Sequence, residues 1–326
     1  MTVEVVTLGE CLISLVAGQV GPLAEATTFD RHIAGAEANV AVGLARLGHT
    51  VAYIGRVGND GLGTAVRRRL RGEGVDVEHL QPDAAATTGV MFRERRALGA
   101  AEIVYARARS AGSRLGAADV DRAVADGVFA GARWLHLTGI TPAVSAGARA
   151  AVDQAAAAAR EAGLTISLDV NLRRRLWSDE DAAAVLRPLA TRVDVVLGSS
   201  DELAVIAGRP LDTDPATLVE AIVALGPSIA VVKLGADGAL AVERGGPPVR
   251  QPGLVGATVV DPVGAGDAFS AGFIAARLDG ADVAAALRTA NACGAAAVAA
   301  IGDLTGLPTT AELERLLRAE GDDTIR

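Results

Sequence analysis

Lysine is almost missing from this chain. Of its 31 basic residues one is lysine, Lys233, and the rest are arginine. A phosphate loop of the Gly-Lys-Ser/Thr type is therefore excluded, because Lys233 is followed by Leu234. Val231-Val232-Lys233 has the look of a protein-kinase strand lysine, but the companion His-Arg-Asp and Asp-Phe-Gly motifs are absent. Gly-x-Ser-x-Gly and His-Glu-x-x-His are absent as well. The two cysteines, Cys11 and Cys293, form neither a metal pair nor a disulfide framework, and a reducing, cytoplasmic setting is expected. The four histidines, His32, His49, His79 and His136, show no ligand spacing and read as structural. Net charge is −8 and no basic run reaches five residues, which argues against nucleic-acid binding. The N-terminus lacks a basic, then apolar, leader, so no signal peptide is expected. The alanine-rich stretches 150–159 and 284–300 carry charged or polar breaks, and no membrane contact is expected.

Aromatic residues make up 3% of the chain, yet hydrophobic residues make up 50%. Alanine, valine, leucine and glycine supply that apolar content, which suits helices packed closely on a sheet. Val3–Leu8 reads as a buried strand followed by Gly9-Glu10, without the Gly-x-Gly-x-x-Gly turn of a dinucleotide fold. Glu37–Leu47 has helical spacing, Val51–Val57 is a strand and Gly61–Arg71 a helix. Val90–Arg95 and Glu102–Ala106 alternate apolar and polar residues around Ala97–Gly99, which predicts a half-exposed hairpin. From about 119 strands near 133–137, 164–169, 193–197 and 229–233 alternate with helices. Those helices fall near 145–162, 179–190, 214–225, 266–278, 281–300 and 310–319. Such alternation predicts a mostly parallel sheet covered on both faces, with the period-2 segments forming a separate small sheet.

The polar motifs follow the strands. Asp169-Val-Asn-Leu-Arg173, Gly198-Ser199-Ser-Asp-Glu202 and Gly235-Ala-Asp-Gly238 each follow one, and Asp261 to Asp267 leads into a helix. In open α/β sheets such strand ends converge on one ligand cleft. Asp261-Pro-Val-Gly264-Ala265-Gly266-Asp267-Ala-Phe-Ser-Ala-Gly-Phe273 is the most informative stretch. Small residues opening a helix leave backbone N–H groups free, and with the helix dipole they form an anion site. An acid beside it makes sense if it takes a proton from a hydroxyl while the N–H groups hold the phosphoryl group under attack. The same residues would also serve as an ordinary capped helix start.

These motifs resemble those of the ribokinase-like (PfkB) carbohydrate kinases. Asp261–Phe273 resembles the family's second signature. Residues 34–58, with Ala-Gly35-Ala-Glu-Ala-Asn39-Val-Ala and then Gly-Leu-Ala-Arg-Leu-Gly, resemble its first. The resemblance runs from Gly9-Glu10 to Asn291. It implies a single three-layer α/β/α domain over 1–326, with a β-sheet lid from about 11–34 and 88–109. It also implies ATP-dependent phosphorylation of a sugar hydroxyl. Asp267 would be the base, and the N–H groups of Gly264, Ala265 and Gly266 the anion hole. Mg²⁺ would be held through phosphates and water, with Glu202 acting through water. Ser199 stands where the family has asparagine. Lys233, Gly235, Gly238 and Asn291 match nucleotide-binding positions. Asp261 resembles a residue near a monovalent-cation site of some members.

Gly35 and Asn39 match the family's sugar-binding positions. The run Tyr105-Ala-Arg107-Ala-Arg109-Ser110-Ala111 resembles 2-keto-3-deoxygluconate kinases, in which the tyrosine and arginine meet the acid. A planar guanidinium suits a carboxylate. Asp169 and Arg173 fit that subfamily and also fructokinases. Met91 stands where the subfamily often has tyrosine, and it either alters substrate recognition or packs a lid interface. The expected function is thus a kinase for 2-keto-3-deoxygluconate, giving the 6-phosphate. A fructokinase or another sugar kinase, and a non-catalytic sugar or nucleotide sensor, stand as alternatives. The apolar residues of the lid need cover, which predicts a homodimer or larger homo-oligomer through it.

Overall fold

The computed structural model describes residues 2–96, 101–254 and 258–319. The chain opens with β1 (Val5–Leu8), β2 (Leu12–Ala17), β3 (Phe29–Ala34), α1 (Ala36–Arg46), β4 (Val51–Gly58) and α2 (Gly61–Gly72). β5 (Leu80–Asp83), β6 (Val90–Arg93), β7 (Ile103–Ala106) and α3 (Ala117–Ala125) follow. Next come β8 (Trp134–Thr138), α4 (Thr141–Val144), α5 (Ala146–Glu161), β9 (Thr165–Asp169), α6 (Asp179–Ala190) and β10 (Val195–Ser199). After these lie α7 (Ser200–Ala207), α8 (Pro215–Leu225), β11 (Ile229–Lys233), β12 (Ala239–Glu243) and β13 (Val249–Gln251). The described chain ends with α9 (Ala265–Leu278), α10 (Val283–Ala297) and α11 (Thr310–Ala319).

Nine strands form the large sheet in the order β13-β12-β11-β10-β9-β8-β1-β4-β5. From β11 to β5 all neighbours are parallel, while β12 and β13 run antiparallel at one edge. The central strands are apolar without interruption because helices cover both faces. Val5, Val195, Leu197 and Val231 point into one core, with α1, α9 and α10. Val6, Val196, Ala230 and Val232 point into the other, with α5, α6 and α8. A strand's period of two therefore divides its residues between two cores. No helix among the described residues is long and apolar enough to cross a membrane.

The separate small sheet has the order β3-β2-β6-β7. Its β6 and β7 pair antiparallel with Met91 opposite Tyr105. The turn expected at Ala97–Gly99 lies outside the described residues. The last long helix is shorter than its alanine-rich sequence implies, ending at Ala297 where 281–300 is expected. The short helix α7, the edge strands β5 and β13, and β12 beside β13 are not among the elements expected from the sequence. Each is eight residues or fewer, too short for a period to declare itself.

The site helix α9 is clamped by its neighbours. A Cβ on Gly272 would lie 2.7 Å from Cys293 Sγ of α10, and one on Gly43 of α1 would lie 2.7 Å from Ala271 Cβ. Small residues thus let three helix backbones approach closely. Gly272→Val is expected to destabilise the fold by about 1–3 kcal/mol through overpacking. Urea unfolding checks this, and an unchanged midpoint would contradict such close packing.

Candidate active site

A cleft of ≈ 680 Å³ lies between the small sheet and the C-terminal ends of the central strands. At its floor the chain turns into α9. Asp261 Oδ1 accepts the Val263 N–H at 3.1 Å, closing a local turn. Gly264 then takes φ 83°, which favours glycine, and a Cβ there would press on Asp303 O at 3.0 Å. The first N–H groups of α9 have no carbonyl one turn back. Gly264 and Gly266 line the cleft. Ala265 lies between them outside the lining, and its N–H makes a long contact, 3.4 Å, back to Pro262 O.

Asp267, in the first turn of α9, is buried. Asn39 Nδ2 of α1 donates to its Oδ2 at 2.7 Å, and Asn171 Nδ2 donates to its Oδ1 at 3.1 Å. Asn171 holds φ 38°, a left-handed conformation that asparagine tolerates. Burial pushes the Asp267 carboxyl up to about 7, with nearby Asp169 adding to the rise. Asn39, Arg173 and Lys233 oppose it.

Asp169 ends β9, and Lys233 ends β11. Lys233 Nζ lies 2.5 Å from Asp169 Oδ2, which also accepts the Ser270 hydroxyl of α9 at 2.8 Å. Asp169 Oδ1 and Asn39 Oδ1 are buried with no hydrogen-bond partner, although both residues line the cleft. Buried acceptors without donors are rare in folded proteins, and hydroxyl-rich ligands would supply the donors.

The opposite wall carries Tyr105, Arg107 and Met91. Arg107 is not free, since its guanidinium stands 2.5 Å from Glu10 Oε2, and the Ser110 hydroxyl donates to Glu10 Oε1. The same guanidinium lies 5.6 Å from the centre of the Tyr105 ring. Met91 is buried, packs with Leu12 and Ala34 inside the small sheet, and still lines the cleft. Gly35 enters α1 at φ 144°, where a Cβ would meet Glu10 O at 2.6 Å. Arg173 is exposed at the rim and makes only a long contact, 3.4 Å, to Leu172 O.

Ser199 and Glu202 also line the cleft, but their contacts are first of all structural. Glu202 Oε2 accepts the Ser199 N–H and Oε1 accepts the Leu172 N–H, both at 2.8 Å. The carboxylate thereby closes the cap of α7 and ties it to the loop after β9. Gly235, Gly238 and Asn291 do not line the cleft. Gly238, at φ 89°, would place a Cβ 2.1 Å from Gln251 O, and Asn291 Nδ2 donates to Gln251 O and Pro252 O. Gly238 thus lets the β11–β12 turn pack on the end of β13, Asn291 ties that end to α10, and Gly235 closes the turn by accepting the Gly238 N–H. Asp261, which resembles a residue near a monovalent-cation site of some family members, is paired with Arg93, 2.7 Å from its Oδ2.

Several cleft residues had no role in the sequence reading: Glu10, Glu37, Arg93, Asn171 and Asp303. Glu37 and Asn171 lay inside the motifs and could have been found there. Buried Glu37 accepts the Thr138 hydroxyl at 2.6 Å and the Thr141 hydroxyl, and burial raises its carboxyl above the usual range. Among the described residues no three His, Cys, Asp or Glu side chains surround one metal position.

The glycines that open α9, a lysine, a buried carboxylate and unpartnered acceptors thus line one cleft. The pfkB family carbohydrate kinase profile matches residues 3–310, and the chain belongs to that family of ATP-dependent sugar kinases. The 2-dehydro-3-deoxygluconokinase of Thermoproteus tenax is 38% identical over 321 residues, 97% of this chain and 95% of the relative. The enzyme of the same name from Bacillus subtilis is 36% identical, over 98% of this chain and 97% of its own. A putative Ribokinase II from E. coli, solved in complex with ATP and Mg²⁺, matches with a TM-score of 0.88 at 27% identity. That match covers 97% of this chain and 99% of the other.

The raised carboxyl of Asp267 has a consequence for stability. In the unfolded chain the group ionises near 3.8, whereas in the folded one it holds its proton up to about 7. Its contribution is therefore fully present at low pH and is lost as pH rises through that window. Asp267→Asn removes this dependence. The melting temperature of the variant relative to wild type is expected to rise from pH 5 to pH 8. A difference that stays constant with pH would contradict the burial argument.

Proposed function

We propose that the chain transfers the γ-phosphoryl group of ATP to the 6-hydroxyl of 2-keto-3-deoxygluconate. The observation that carries this reading is the pairing of two walls. Asp267 and the N–H groups of the α9 turn face the reacting end, and Tyr105 and Arg107 face the other. Two relatives bearing that substrate in their names support it.

Asp267 accepts the hydroxyl proton as the oxygen attacks, and a carboxyl near 7 is suited to do so at neutral pH. Asn39 and Asn171 orient it. The N–H groups of Gly264, Ala265 and Gly266, aligned with the α9 dipole, receive the charge on the transferring phosphoryl oxygens. Lys233 adds a fixed positive charge beside that turn, 3.4 Å from Gly266 O. The residues fit a metal carried on nucleotide phosphates: Mg²⁺ would neutralise phosphate charge, and Glu202 would reach its shell only through water. Gly235, Gly238 and Asn291 shape the nucleotide side from behind Lys233. No alkali cation at Asp261 belongs to this reading, since Arg93 already supplies the positive charge there.

A substrate carboxylate would share the five-donor fork of Arg107 with Glu10, and Arg173 offers a second guanidinium at the rim. Gly35 and Asn39 would meet the sugar hydroxyls along the floor. The small sheet serves as a lid, and Val104, exposed and on the strand face opposite cleft-lining Tyr105, is apolar surface that a second copy would cover, giving a homodimer. One pair of facts favours fructose instead: Glu10 already neutralises Arg107, and Met91 offers no hydroxyl.

The test is ADP release with Mg-ATP against 2-keto-3-deoxygluconate, 2-keto-3-deoxygalactonate and fructose. Preference for the keto-deoxy acids is expected, and preference for fructose would overturn the substrate assignment. Asp267→Asn is expected to lower kcat by about 10²–10⁴-fold on any substrate. Arg107→Ala is expected to raise KM for the acids far more than for fructose. Equal losses would remove the carboxylate argument.

A further inference from the structure

The small sheet is joined to the α9 turn by a buried ion triad. Arg93, the last residue of β6, is 6% exposed. Its guanidinium reaches Asp261 Oδ2 at 2.7 Å and Asp303 Oδ1 at 3.3 Å. Asp261 also accepts the Gly302 N–H at 3.2 Å and the Val263 N–H at 3.1 Å. One side chain therefore ties together the segment entering α9 and the segment around 302–303. Asp303 is joined onward to the base, because Asn39 Nδ2 lies 3.5 Å from Asp303 Oδ2 and 2.7 Å from Asp267 Oδ2.

Burying a guanidinium and two carboxylates is expensive, and well-packed apolar residues would serve a merely structural seam as well or better. The charges make sense as alignment. If Asp261 and Asp303 lost their cation, two buried carboxylates would face the turn that must receive a phosphoryl group. Asp303 would also compete with Asp267 for the Asn39 amide. Burial already pushes the Asp303 carboxyl above its usual range, and Arg93 is the first group opposing that rise.

We propose that Arg93 is a positioning residue for phosphoryl transfer: by holding Asp261 and Asp303 it keeps the α9 turn and the Asn39 amide aligned on Asp267, and it makes that alignment depend on the small sheet being seated. The proposal rests on Asp267 being the base. Arg93 acts through Asp303 and Asn39, since it makes no contact with Asp267 itself. The other groups facing Asp267 are Asp169 on β9, Asn171 and Arg173 just after it, and Lys233 on β11. None of them is held by Arg93, so its removal leaves their charges in place.

The experiment compares full-length Arg93→Gln, Arg93→Lys and Asp267→Asn with wild type. It measures kcat, KM for ATP and sugar, ADP affinity, melting temperature and the pH profile of kcat/KM. Arg93→Gln is expected to lose about 10- to 100-fold in kcat, the scale of a small misplacement of reacting groups. ADP affinity should hold, because ADP lacks the phosphoryl group that the α9 turn receives. The acid limb of the profile should move to higher pH, as Asp267 loses its share of the Asn39 amide. Arg93→Lys keeps the charge but cannot fork to both carboxylates, so an intermediate kcat is expected. If Arg93→Gln does not fold, the lysine variant decides alone, and wild-type kcat there overturns the proposal. Arg93→Gln with a lower melting temperature but wild-type kcat and an unmoved acid limb would also overturn it. Wild-type turnover in Asp267→Asn would instead strike down the base assignment beneath it.

Discussion

One carboxylate, buried at the N-terminus of a helix and held by two amides, organises this molecule. Asp267 sits where a helix dipole favours its charge and where burial disfavours it, and burial dominates the balance. The protein keeps it in place from three directions. Asn39 comes from α1, Asn171 from the loop after β9, and the backbone turn from the segment before α9. Each needs its own element fixed to within tenths of an ångström. The close contacts of Gly43 and Gly272 with neighbouring helices show how α9 is fixed. The parallel strands do the rest, since β9 and β11 are neighbours of β10 and bring Asp169 and Lys233 to one end of the sheet.

The cleft is a balance of buried opposite charges, and arginine is its main cation. Arg93 bridges Asp261 and Asp303, and Arg107 is paired with Glu10. A guanidinium can serve two acceptors at once, which a compact ammonium does less well. The chain's one lysine is placed where a point charge suffices, between Asp169 and the α9 turn. At Arg107 an acidic group would join a pair that already exists, so selectivity there depends on geometry more than on net charge.

What the sequence disclosed follows from distance along the chain. Asp261–Phe273 could be read because its turn, its glycines and its acid are local to one another. The layered architecture could be read because strands and helices alternate with clear periods. Asp169, Asn39 and Lys233 were found through motifs, but their partners were not. The pairing of Arg107 with Glu10 spans nearly a hundred residues, and that of Arg93 with Asp303 about twice that. Nothing in a local pattern announces either. Arg93 reads as an ordinary polar position on an alternating strand, and Asp303 lies in no motif at all. Asn291 and Gly238 show the reverse case, since their motif positions are plain but their structural contacts are with backbone outside the cleft. Short edge strands escaped for lack of length.

The ionisation of Asp267 in the working enzyme is what the proposed chemistry depends on most directly. The decisive measurement is the pH dependence of kcat/KM for the preferred sugar under saturating Mg-ATP, from about pH 5 to about pH 9. Activity is expected to fall on the acid side through one ionisation near 7, as the buried carboxyl takes up its proton. A profile that stays flat across that range would contradict it, because the base would then be ionised throughout or would not be Asp267.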